Sequence, residues 1–165
     1  MHPIHEVYPS PKIRYNVSMK ILSIDYGEKR VGLALSDETQ TIASPLPTLK
    51  VKSLADAVSK TQQMISSQKI EKVLIGLPLG PNREETQQSI KTRYFGDALG
   101  RSNGMKPEYW NESLSTQEAN KSKRLGTKRK KRNLDSEAAR IILQEYLDFK
   151  KEPTSPILPQ YKLAV

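Results

Sequence analysis

Apolar residues along this chain recur with two different periods. Ile21-Leu22-Ser23-Ile24 and Val31-Gly32-Leu33-Ala34-Leu35 are short apolar runs separated by the turn-like Tyr26-Gly27-Glu28-Lys29, the pattern of a β-hairpin. A third extended stretch is predicted between Thr41 and Val51. Pro45 and Pro47 put it near a sheet edge, because proline donates nothing to a ladder. The period then turns helical over residues 53–68, where Ser53 can cap and Leu54, Ala57, Val58 and Ile65 fall largely on one face. Lys72-Val73-Leu74-Ile75-Gly76 reads as a buried strand of the parallel type, followed by a loop over 77–82. A helix over 83–99 and a fifth strand over 106–110 come next. A short helix over 115–124 has Ser115 as cap and Glu118 in the capping-box position. The last helix, 135–149, carries Ala138, Ala139, Ile142, Tyr146 and Phe149 in one stripe.

That order predicts an α/β fold: a mixed five-stranded sheet, three antiparallel strands and then parallel ones, with helices on both faces. Such open sheets take ligands at the C-terminal ends of their strands. Asp25 stands at one such end and Asn111-Glu112 at another. Residues 1–18 hold three prolines and no apolar period, so they are expected to form a flexible extension. Residues 19–149 are expected to form the domain and 150–165, with Pro153, Pro156 and Pro159, a C-terminal tail.

Composition narrows the chemistry. There is no cysteine among the 165 residues, which excludes disulfides and thiolate sites and makes a reducing cytoplasm the simplest home. No apolar run approaches the roughly 20 residues of a membrane span. The net charge is +9, which favours a polyanion, either nucleic acid or an anionic membrane surface. Distribution decides for nucleic acid. Eight basic residues and no acid fall between Asn120 and Asn133, among them Lys128, Arg129, Lys130, Lys131 and Arg132. Charge runs are usually solvated tails, but this one is internal and leads directly to Asp135, and phosphate contacts of this kind give affinity without sequence information. Lys29 and Arg30 are candidates for a second contact. Tyr94, Phe95, Tyr109 and Trp110 read as core.

Asp25 precedes glycines and a basic pair at a tight turn. A carboxylate at a strand end can bind Mg²⁺, which takes oxygen ligands, yet Asp also begins turns as a matter of course, and spacing leaves the two roles level. Asp135 by itself suits a helix cap, and Glu112 an ordinary strand-end acid.

The stretch from Ile24 to Asp37, IDYGEKRVGLALSD, resembles the opening of the YqgF family, also called RuvX, of Holliday junction resolvases. Ile75-Gly76-Leu77-Pro78-Leu79, then Asn111 to Ala119, then Asp135 to Gln144 resemble its later segments, in the same order. Met19-Lys20 is similar to the family's usual start. The resemblance implies a ribonuclease-H-like fold and metal-dependent phosphodiester hydrolysis. Its implied substrates are recombination junctions and the 5′ end of the 16S ribosomal RNA precursor. It also implies that Asp25, Glu112 and Asp135 are catalytic and hold Mg²⁺ or Mn²⁺. Two positions depart from the pattern: Asn111 and Ser113 flank Glu112 where the family has Asp and Arg. Asn111 would cost the site a negative charge if that position ligates, and Ser113 removes a guanidinium able to pair with carboxylate or phosphate.

Two rivals remain at this point. A phosphotransferase of the actin and sugar-kinase group also begins with an Asp-x-Gly hairpin, but needs two such domains. A non-catalytic nucleic-acid-binding module with a degenerate site is the stronger alternative. A symmetric junction would suit a homodimer by analogy alone.

Overall fold

The computed structural model describes residues 19–112 and 134–151. The expectations for residues 1–18, for the short helix over 115–124, for Lys128–Arg132 and for the C-terminal tail beyond 151 lie outside the described residues. The elements are β1 (Ile21–Tyr26), β2 (Arg30–Ser36), β3 (Ala43–Pro45), β4 (Leu49–Lys50), α1 (Leu54–Gln68), β5 (Lys72–Leu77), α2 (Gln87–Asn103), β6 (Glu108–Asn111) and α3 (Leu134–Lys151). The fold is α/β with a mixed sheet, ordered β3-β2-β1-β5-β6, with β4 also paired to β2. β1 is antiparallel to β2 and parallel to β5, and β5 is parallel to β6.

The third strand differs from expectation. It is broken into β3 and β4, both antiparallel to β2, so one edge position is filled by two short pieces. Pro45 ends β3 and Pro47 follows within the gap, where neither can supply an N–H to the ladder. α2 also starts later than residue 83. Gly80 N–H bonds Glu84 O, Arg83 has φ of 64°, and Thr86 caps the helix through a capping box with Ser89. It runs on to Gly104, whose φ of 74° is the left-handed conformation that glycine adopts without strain. Ser53 caps α1 as its sequence predicts, accepting from Asp56 N–H at 3.2 Å.

Strand alternation divides the core into two layers. Leu22, Ile24, Tyr26, Val31, Leu33, Val73 and Ile75 face α1 and α2, where Tyr26 stacks on Phe95 with ring centroids 4.4 Å apart. Ile21, Ala34, Leu74 and Trp110 face α3, against Ala139, Ile142, Leu143, Tyr146 and Leu147. Helices therefore cover both faces. Lys72, Glu108 and Tyr146 tie β5, β6 and α3 together: Lys72 Nζ lies 2.7 Å from Glu108 Oε1, and Tyr146 donates to Glu108 Oε2 at 3.0 Å. Among the described residues no helix is long and apolar enough to cross a membrane.

Candidate active site

Register determines which side each acid faces. Asp25 is the Cα partner of Gly32, so the two share a face, and that face also carries Ile21 and Ala34 toward α3. On β6, Trp110 packs against α3, the alternate residue Asn111 turns toward α1 and α2, and Glu112 comes back to the α3 side. Asp135 lies in the first turn of α3. Asp25, Glu112 and Asp135 thus occupy one face, at the end of the sheet where β1 and β6 terminate.

Two glycines make this arrangement sterically possible. A β-carbon on Gly32 would lie 2.0 Å from the carbonyl oxygen of Asp135, so only glycine lets the start of α3 press onto β2. A β-carbon on Gly76 would lie 2.0 Å from Glu112 Oε1 and 2.5 Å from Ile142 Cδ1. The Glu112 carboxylate therefore rests over bare backbone on β5, the strand next to β1 and Asp25, and its Oε1 is buried.

Arg30 sits within this acidic region. Its Nε is 3.0 Å from Asp135 Oδ2, with the side chains 48% and 27% exposed. The guanidinium that the sequence offers for phosphate contact is thus engaged by a carboxylate. Among the described residues no three Asp, Glu or His side chains are grouped tightly enough to hold a metal ion. The donor set nonetheless fits a hard divalent cation in kind: carboxylate oxygens are what Mg²⁺ and Mn²⁺ take, and Glu112 Oε1 is buried against the bare backbone of Gly76.

The structure revises what Asn111 means. It is 2% exposed, and strand alternation from Trp110 turns it to the face opposite the one that carries Glu112. Ser113 lies outside the described residues. Lys29 is exposed, as its place in a turn suggests. Lys50 and Lys52, which carry no signal of their own in the sequence, come beside Lys29 and Arg30 because β4 pairs with the start of β2. A pairing between residues twenty apart leaves no local trace, least of all across a stretch that two prolines interrupt.

Comparison with known proteins agrees with this architecture. Residues 19–149 match the RuvX family, described as Holliday junction resolvase. A protein of Agathobacter rectalis named "Putative pre-16S rRNA nuclease" is 36% identical over 137 residues, covering 79% of this chain and 96% of the relative. One of the same name from Syntrophus aciditrophicus is 38% identical over 133 residues, covering 79% and 89%. The structure of T. thermophilus RuvC in complex with a Holliday junction substrate superposes with a TM-score of 0.54 at 15% identity, covering 81% of this chain and 96% of that one, a likeness of fold. With the family matched over most of its length and relatives above one-third identity, the chain belongs to the RuvX family of nucleases.

Proposed function

We propose that this protein is a metal-dependent nuclease that hydrolyses phosphodiester bonds through Asp25, Glu112 and Asp135. Its proposed substrates are the 5′ end of the 16S ribosomal RNA precursor, Holliday-junction-type DNA, or both. The observation that supports this reading is that Asp25 on β1, Glu112 after β6 and Asp135 in the first turn of α3 lie on one face and at one end of the sheet, with Gly32 and Gly76 letting α3 and Glu112 pack close. The relatives' names point to ribosomal RNA and the family description to junctions. Asp25, Glu112 and Asp135 would hold Mg²⁺ or Mn²⁺, which when bound activates water and stabilises the leaving oxygen. Glu112, half-buried over Gly76, is held by the packing of β5 and β6 rather than by its own rotamer freedom. Asp135 is fixed by the contact of its backbone with β2 and by Arg30.

A second reading, the non-catalytic binding module, draws on the ion pair that occupies Asp135. One experiment separates the two. Wild type is incubated with Mg²⁺ or Mn²⁺ and either a 5′-extended 16S precursor fragment or a four-way DNA junction, beside Asp25→Asn. Nuclease function requires metal-dependent cleavage by wild type, lost in Asp25→Asn while nucleic-acid binding persists. Binding without cleavage of either substrate by wild type would establish the module.

A further inference from the structure

Four cations are brought together at the β1–β2 turn by the pairing of β4 with β2. Arg30 and Lys50 are direct Cα partners, so they share a sheet face, and it is the face of Asp25 and Gly32. Val51 N–H bonds Lys29 O at 3.0 Å, which holds the next turn of chain against the hairpin. Together Lys29, Arg30, Lys50, Val51 and Lys52 line a shallow open depression. Arg30 is engaged by Asp135 and Asp56 is bridged by Lys60 at 3.0 Å, while Glu28 is bridged by Lys91 at 2.8 Å. Lys29, Lys50 and Lys52 are exposed and form no ion pair within 4.0 Å among the described residues, though the Lys52 charge also acts on Asp56, which accepts the Lys52 N–H at 2.9 Å.

We infer that Lys29, Lys50 and Lys52 form a phosphate-binding track that carries the nucleic-acid backbone away from the carboxylates, over the edge of the sheet. This rests on the nuclease reading above and extends it to residues on β4. β4 lies two strands from β1, roughly 10 Å at ordinary strand spacing, so a strand whose phosphate reaches Asp25 brings its neighbouring phosphates over the lysines. Exposed ammonium groups on long stems suit such contacts, because each acts as a point charge that follows a moving backbone. The track reads charge and spacing, not base identity.

The test is anisotropy titration of a fluorescent four-way DNA junction and of a structured precursor-type RNA, without divalent metal, over a range of salt. Lys50→Gln/Lys52→Gln is compared with wild type and with Arg101→Gln/Lys106→Gln, a control at the opposite end of the sheet. The track variant is expected to weaken binding on the order of tenfold and lower the log–log salt slope by roughly 1.4–1.8, as two fewer phosphates are neutralised. The control should leave both unchanged. Lysine acetylation footprinting of the unmutated protein gives an independent readout, in which nucleic acid should shield Lys29, Lys50 and Lys52. Wild-type affinity and slope retained in the track variant, or equal weakening in the control, would overturn the track while leaving the nuclease reading standing. Failure of wild type to bind either substrate would overturn both.

Discussion

Gly76 is the residue on which the Glu112 geometry depends most directly. A β-carbon there would have to displace either the Glu112 carboxylate or Ile142 Cδ1, at 2.0 and 2.5 Å. Both are ends of flexible side chains, so Gly76→Ala should fold, with an overpacking cost of roughly 1–3 kcal/mol read from thermal or urea unfolding. Cleavage should fall far more than stability, since the carboxylate is pushed off its position. A variant that cleaves at the wild-type rate would show that Glu112 does not act from this place. Arg30 makes the opposite prediction. Its guanidinium lies 3.0 Å from Asp135, a proposed metal ligand, so Arg30→Gln should bind Mn²⁺ more tightly in the absence of nucleic acid, by several-fold in a spin-resonance titration. Weaker Mn²⁺ binding in Arg30→Gln would mean that the ion pair positions Asp135 for metal rather than competing with it.

At the scale of elements, what the sequence reveals and what it hides follow from the range of the interactions. The hairpin, α1, β5 and the last helix are legible because each has a strong local period or a cap, as Ser53 shows. The start of α2 is not legible, because the Gly80–Arg83 turn and the Thr86 cap compete with a helical period that tolerates either start. The proposed site residues Asp25, Glu112 and Asp135 are reached through family resemblance. Their common face depends on register, and so on pairings such as Asp25 with Gly32 that no local pattern specifies. The anchorage of α3 is likewise invisible in sequence. Burial alone would lower the Lys72 ammonium, but hydrogen bonds to Glu108 and Tyr146 outweigh it and raise it above the ordinary lysine value. Burial likewise pushes the Tyr146 hydroxyl up, against a lowering hydrogen bond with Lys72 and with Glu108 adding to the rise. Groups raised in the folded state contribute stability that is full below their ordinary values, near 10, and lost as pH rises through the folded values. Unfolding free energy should therefore decline above about pH 10, and Lys72→Met should flatten that decline. Asp37 acts at the other extreme. Hydrogen bonds from Ile42 N–H, Thr39 and Thr41 N–H hold its carboxyl well below the usual carboxylate range. Its contribution is present above the ordinary value near 4 and lost as pH falls toward the folded one. Asp37→Asn should remove that part of the acid sensitivity.

For the whole molecule, positive charge is concentrated in one segment of the chain, apart from the proposed catalytic carboxylates Asp25, Glu112 and Asp135. The eight basic residues between Asn120 and Asn133 leave the remainder with a net charge of only +1. By net charge, long-range attraction for a polyanion would therefore come mainly from that segment, whereas the proposed lysine track at β4 would act locally, beside the carboxylates. Neutralising Lys128 to Arg132 should weaken binding to every sequence tested and reduce the salt slope by roughly 0.7–0.9 for each phosphate that the segment no longer neutralises. If these residues supply encounter and affinity, as proposed from their charge, rather than the reacting geometry, cleavage at saturating substrate should stay near the wild-type rate while the substrate concentration needed rises steeply. The rise should shrink at low salt, where the remaining cations are less screened. A maximal rate that collapses with the charges, at all salt concentrations, would instead give the segment a part in assembling the site, in keeping with its position between Glu112 and Asp135 in the chain.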